Sequence, residues 1–373
     1  MAAQNTGLKR VERLSVNFLV DNSIEWMTKL PPGFSHEIHQ HLRDQQPTID
    51  PTTGVPVLNF EKFCCGAHGL SALIETEDPS TNTVHRTLFD TGPDSQSIAR
   101  NLNALEIDTT TISRVVLSHW HSDHSGGLLS FLTHRSLTSQ NQPNSPVTPC
   151  IVDLHPSRPY ARGIAPPQAG GRVVCQLPPD PSFETIESVG GVVEKHDEGH
   201  TVAGGTVWVS GEIPRVTPFE AGLVGGVRWV EGKGWTPEED IMDERYAAVD
   251  VVGKGLVLFS ACSHAGIVNV VKDAVSTFGR PVYMIIGGLH LAGPELLPRI
   301  PPTISFLSND LVPSPTYILP MHCSGFAVKC ALQREFGEGC VPAGVGMKID
   351  LSVTEEERAG DGRLVGRVVD RLA

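Results

Sequence analysis

Residues 115–128 read Val115-Val116-Leu117-Ser118-His119-Trp120-His121-Ser122-Asp123-His124-Ser125-Gly126-Gly127-Leu128. An apolar strand runs straight into three histidines and an aspartate, and two glycines then open a helix. In extended chain His119 and His121 project from one face, because successive side chains alternate. Asp123 and His124 fall where the chain bends and can face a second ion. Imidazole nitrogen and carboxylate oxygen suit Zn²⁺, Fe or Mn²⁺. Gly126 and Gly127 let the start of the helix approach its neighbours closely. A strand end is also where α/β proteins place their ligands. The segment therefore predicts a metal centre.

The pattern resembles the H-x-H-x-D-H signature of the metallo-β-lactamase superfamily. Upstream stands Leu88-Phe89-Asp90-Thr91-Gly92, and the resemblance gives Asp90 the task of buttressing the metal ligands from behind. A narrower resemblance rests on His68-Gly69-Leu70-Ser71, Gly211-Glu212-Ile213-Pro214-Arg215, Cys262-Ser263-His264-Ala265-Gly266-Ile267-Val268-Asn269, Gly287-Gly288-Leu289-His290-Leu291 and Pro320-Met321-His322-Cys323-Ser324-Gly325. Together these look like the branch that includes the archaeal dihydropterin ribofuranosylaminobenzene 5′-phosphate synthase. The resemblance implies an α/β fold, an αββα sandwich. It also places His68, Glu212 and Arg215, with Asp90, behind the ligands or facing substrate.

Three later histidines each follow a strand-like run: His264, His290 and His322. Strand ends gathered at one sheet edge would bring them to the rim that carries His119, His121, Asp123 and His124. His264 and His322 are the expected remaining ligands. Asp123 and His290 are the expected catalytic groups, with Asp123 also a ligand. The superfamily often bridges two metals with an aspartate near the position of Cys262-Ser263-His264, and none stands there, so one ion or two remain open. Cys262 and Cys323 read as packing around the metal. His200, in Gly199-His200-Thr201, competes for a ligand role but reads more simply as a turn residue. The run His36-Glu37-Ile38-His39-Gln40-His41 misses the H-E-x-x-H zinc helix, because Gln40 holds the place of the second histidine. It reads as a solvated segment.

The 373 residues carry 29 Lys plus Arg against 42 Asp plus Glu, a net charge of −13. That opposes binding to nucleic acid or to an anionic membrane surface. No run approaches the roughly 20 apolar residues of a membrane span, and the charged N-terminus has no signal-peptide core. The eight cysteines form no C-x-x-C pair and read as reduced thiols of a cytoplasmic protein. With 37 Gly and 29 Pro, long loops are expected. The reading is one domain over residues 1–373, with its core at about 63–350 and Pro-rich insertions at about 21–62 and 136–182.

A zinc site with an open position lowers the pKa of bound water toward about 7 and supplies hydroxide at neutral pH. No G-x-S-x-G elbow is present, which disfavours a serine hydrolase. The expected function is hydrolysis of a small-molecule ester, lactam, lactone or phosphoester with one or two zinc ions. Fe or Mn are alternative metals. A transferase resembling the branch's synthase is the alternative activity, and a metal-binding protein without catalysis a further one.

Overall fold

The computed structural model describes residues 6–140 and 148–369. Two mixed sheets face each other. The first runs in the order Gly191–Lys195, Cys150–Leu154, Arg114–Val116, Val84–Phe89, Ser71–Glu77, Arg13–Val20, Lys348–Ser352, Phe34–Ser35. The second runs His200–Val202, Val207–Val209, Ala247–Val251, Gly255–Ser260, Val282–Gly288, Tyr317–Met321, with Arg10–Val11 beside Ala247–Val251. Their inner faces make one core: Phe18, Ile74 and Phe89 from the first sheet join Val249, Phe259 and Ile286 from the second. The outer faces are covered as well. Ile98, Leu102, Leu128 and Phe131 of helices Ser97–Ala104 and Leu128–Gln140 pack on the first sheet. Val268, Val271, Val328 and Leu332 of helices Ile267–Phe278 and Phe326–Phe336 pack on the second. Strands covered on both sides read as near-continuous apolar runs, as in Gly255–Ser260, where every residue is buried. The architecture is the αββα sandwich.

Parallel pairing sets the site. Val84–Phe89, Arg114–Val116 and Cys150–Leu154 run parallel in the first sheet. Gly255–Ser260, Val282–Gly288 and Tyr317–Met321 run parallel in the second. The loops that leave their C-terminal ends carry Asp90, His119–His124, Cys262–His264, His290 and His322. Gly127 shows why glycine follows the histidine segment: a Cβ there would lie 2.1 Å from the Thr91 carbonyl and 2.9 Å from Ile98.

Several elements differ from expectation. The helix that follows Gly127 runs to Gln140, into the segment expected as an insertion, and residues 141–147 of that segment lie outside the described residues. Residues 217–245 contain the hairpin Gly226–Val230 and Gly234–Pro237. It joins Arg162–Ile164 and Cys175–Gln176, inside the expected insertion, as a separate four-stranded sheet. Trp229 faces Trp235 across the hairpin with ring centroids 5.6 Å apart, and cross-strand aromatic pairs of this kind stabilise a short ribbon. The segment around His36 is not solvated. His36 is buried, its ring nitrogens 2.8 and 2.7 Å from the carbonyls of Glu25 and Thr28, and His41 lies between Glu37 and Gln45. These histidines tie the short helical turns Glu37–His39 and Gln40–Asp44 to the chain around them. No helix among the described residues is long and apolar enough to cross a membrane.

Candidate metal centre

The loop after Arg114–Val116 is fixed before any side chain reaches inward. Asp90, in the left-handed region at φ +59°, accepts from the Ser118 backbone N–H and hydroxyl, both at 2.7 Å. It also accepts from His124 Nδ1 at 2.8 Å. Ser118 Oγ lies 2.8 Å from His119 Nδ1. One buried carboxylate therefore holds two imidazoles by their outer nitrogens, one directly and one through a hydroxyl, and turns both Nε2 lone pairs inward.

Two donor groups result. His119 Nε2 is 2.9 Å from His121 Nδ1, and His264 Nε2 is 3.2 Å from each. Neighbouring nitrogens of a tetrahedral zinc site, with bonds of about 2.0–2.1 Å, stand about 3.3 Å apart. Three buried imidazoles in a triangle of this size fit one cation. In the second group Asp123 Oδ2 is 3.2 Å from His322 Nε2 and 3.6 Å from His124 Nε2, and His124 Nε2 is 3.2 Å from Cys262 Sγ. His322 Nε2 is buried without a hydrogen bond, the condition of a nitrogen aimed at a cation. Its 3.2 Å approach to Asp123 has a donor set's convergence without hydrogen-bond geometry.

Electrostatics follow the same division. Burial and the neighbouring imidazoles hold His119 and His264 well below the usual histidine value. Burial and the Arg162 cation bring His121 down to about 3. The three-imidazole group is thus neutral, with lone pairs free for coordination. In the second group burial is opposed: Asp123 and Asp90 carry His124 up to about 9, while His124 and His322 hold Asp123 well below the carboxylate range.

Of the other residues expected at the site, His68 lines the cavity above the donors, exposed, with Nε2 3.9 Å from Asp123 Oδ2. His290 lines it too, its ring 4.5 Å from that of His264 and its Nδ1 buried without a partner. Glu212 and Arg215 are not among the cavity residues. Glu212 is exposed, and Arg215 reaches Asp240 at 3.2 Å. In the motif that holds them it is Ile213, between the two, that turns into the core. His200 lies away from both groups, 2.9 Å from Asp153.

The residues that set the loops are ones that no motif marks. Asp243, Glu244 and Arg245, all buried, stitch the halves together. Asp243 accepts from the Trp120 N–H. Glu244 accepts from the N–H groups of His264 and Ala265, both at 2.7 Å. Arg245 donates to the Leu117 carbonyl at 2.6 Å and to Asp153 at 2.8 Å. Asp21 and Asn22, at the start of an expected insertion, hold His322 by its N–H at 2.8 Å and its Nδ1 at 3.1 Å. A run of three charged residues ahead of an apolar strand was the available signal. Cys262, expected as packing, lies between the two groups, its sulfur within 4.8 Å of donors in both.

Above the donors opens a cavity of about 530 Å³. The four-stranded sheet and its loops wall it with Ile164, Leu177, Pro178, Leu223, Val227 and Ile241. Arg162 is the only lysine or arginine among the described lining residues, and Glu238 and Asp243 close on it.

Residues 70–212 match the model of the metallo-beta-lactamase superfamily. The chain is 32% identical, over 73% of its length and 85% of the relative's, to the 7,8-dihydropterin-6-methyl-4-(beta-D-ribofuranosyl)-aminobenzene-5′-phosphate synthase of Methanocaldococcus jannaschii. A second protein of that organism, described only as uncharacterized, is 28% identical over 74% of this chain and 90% of its own. In structure the fold is similar to Tm1679, a metal-dependent hydrolase of the beta-lactamase superfamily, with TM-score 0.62 and 18% identity over 91% of this chain and 100% of that one. The fold family is one that binds metal ions, and the histidine, aspartate and cysteine groups described above are where this chain could hold them. The chain belongs to the metallo-beta-lactamase superfamily, on the branch that contains the M. jannaschii dihydropterin synthase.

Proposed function

We propose that the protein is a metal-dependent hydrolase of a small molecule carrying an ester, lactam, lactone or phosphoester bond. The observation that carries this reading is the convergence of two buried donor groups at the floor of an apolar cavity. Zinc bound at these donors supplies Lewis acidity and makes water easier to deprotonate. His119, His121 and His264 provide three neutral nitrogens, and Asp123, His124 and His322 the second set. The Asp123 carboxylate, at the cavity floor, is the acceptor for the proton of the attacking water, and the His290 imidazole is the group that returns a proton to the leaving atom. The apolar walls exclude bulk water and favour a substrate whose non-reacting part is uncharged.

The identity to the M. jannaschii synthase favours a second reading, transfer between an aromatic amine or pterin and a phosphorylated sugar. The enclosure of Arg162 by two carboxylates weighs against it, because no lysine or arginine among the described lining residues is left to hold a sugar phosphate away from the metal donors. A panel of ester, lactone, lactam and phosphodiester substrates, together with an aromatic amine offered alongside a sugar phosphate, given to the zinc-loaded protein with His121→Ala as control, separates the two. Turnover of a single substrate by the wild type alone supports hydrolysis. Turnover only when an amine and a sugar phosphate are supplied together supports transfer.

A further inference from the structure

We propose that Cys262 is a metal ligand shared by the two donor groups, its thiolate lying between two cations. The proposal rests on the metal-centre reading above and deepens it. Cys262 Sγ falls within 4.8 Å of the donor atoms of His119 and His264 and, equally, of those of Asp123, His124 and His322. Among the described residues no other side chain belongs to both sets. The sulfur is 3.2 Å from His124 Nε2. A thiolate keeps several lone pairs and can bond two ions, and its bond to zinc, about 2.3 Å, is longer than that of an imidazole. A soft ligand at this place selects zinc or cobalt over magnesium and calcium.

The loop is shaped to hold the sulfur there. Ser263 adopts φ +59°. Its hydroxyl donates to the Gly288 carbonyl at 2.7 Å and lies 2.7 Å from Ser260 Oγ. Glu244 anchors the next two N–H groups. Gly288 leaves the room: a Cβ on it would stand 3.3 Å from Cys262 Cα and 2.5 Å from Cys323 Sγ. Binding is a simple exchange, in which the Cys262 thiol gives its proton to solvent as the sulfur–metal bond forms, and nothing is oxidised or reduced.

The test is titration of the metal-stripped full-length protein with cobalt(II), followed by the near-ultraviolet thiolate-to-cobalt charge-transfer band and by bound cobalt. The band is expected to grow through both the first and the second equivalent, to vanish in Cys262→Ser and to persist in Cys323→Ser. Cys262→Asp, whose two oxygens can span two ions, is expected to bind as much cobalt as the wild type without the band. A band that survives in Cys262→Ser, or is lost in Cys323→Ser, overturns the assignment. So does stoichiometric cobalt binding without a band in the wild type. A band complete at the first equivalent, or a Cys262→Asp variant that binds no more cobalt than Cys262→Ser, overturns the sharing. Failure to bind cobalt at all overturns the metal centre itself, and this proposal with it.

Discussion

His119 and His124 point inward because Asp90 and Ser118 hold them from behind, so removing a donor and removing its support have different consequences. His119→Ala is expected to abolish stoichiometric zinc, measured by elemental analysis, together with activity. Asp90→Asn is expected to keep most of the metal while affinity or turnover falls about 10–100-fold. Full metal in the His119 variant contradicts the ligand assignment. Asp153 gives a pH prediction. It is buried, and against that burial His200 and Arg245 hold its carboxyl well below the ordinary aspartate value. A folded value below the unfolded one contributes stability above the unfolded pKa of about 3.9, lost as pH falls from there toward the folded value. Asp153→Asn should therefore cost about 3–5 kcal/mol at neutral pH, since it leaves Arg245 buried and unpaired. In urea unfolding the gap between wild type and variant should narrow below pH 4, and a gap independent of pH contradicts the account. At this scale the H-x-H-x-D-H run was legible, because its spacing alone brings donors together. The places of Cys262, Glu244 and Asp21 were not, because each depends on which loop folds against which.

The helix Leu128–Gln140 leaves the histidine loop through two glycines, and the contact at Gly127 is backbone on backbone. Gly127→Ala places a methyl 2.1 Å from the Thr91 carbonyl, which neither rotamer change nor side-chain movement relieves. The variant is expected to lose about 1–3 kcal/mol in chemical denaturation, the usual cost of overpacking, and to bind zinc more weakly because Thr91 pairs with the His124 carbonyl. Unchanged stability and zinc affinity would show that the loop can move freely. Strands with unbroken apolar runs, such as Gly255–Ser260 and Val282–Gly288, were legible in the sequence. Cys150–Leu154 and Ala247–Val251 were passed over, since each carries a buried aspartate, Asp153 or Asp250, that interrupts the pattern. The hairpin Gly226–Val230 and Gly234–Pro237 was hidden by its glycines and charges, and it forms against Arg162–Ile164 from a distant part of the chain.

The donors come from both sheets: His119, His121, Asp123 and His124 from the first, Cys262, His264 and His322 from the second. A cation held between them binds the folded chain and not the unfolded one, so its removal weakens the whole sandwich. At a free zinc concentration a hundredfold above Kd the expected gain is about 2.7 kcal/mol. Thermal unfolding with and without a chelator should show a lower midpoint for the stripped protein, and an unmoved midpoint contradicts ligation across the sheets. The sandwich itself was readable from the order of strands and motifs, while the cavity walls, built from the glycine- and proline-rich segments, were not. The most direct test of the metal centre is anomalous diffraction at the zinc edge from crystals of the loaded protein. The account predicts one peak within bonding distance of His119 Nε2, His121 Nδ1 and His264 Nε2, and a second beside Asp123, His124 and His322. A peak bonded to His290 with His264 outside bonding distance, or no peak at either group, would contradict it.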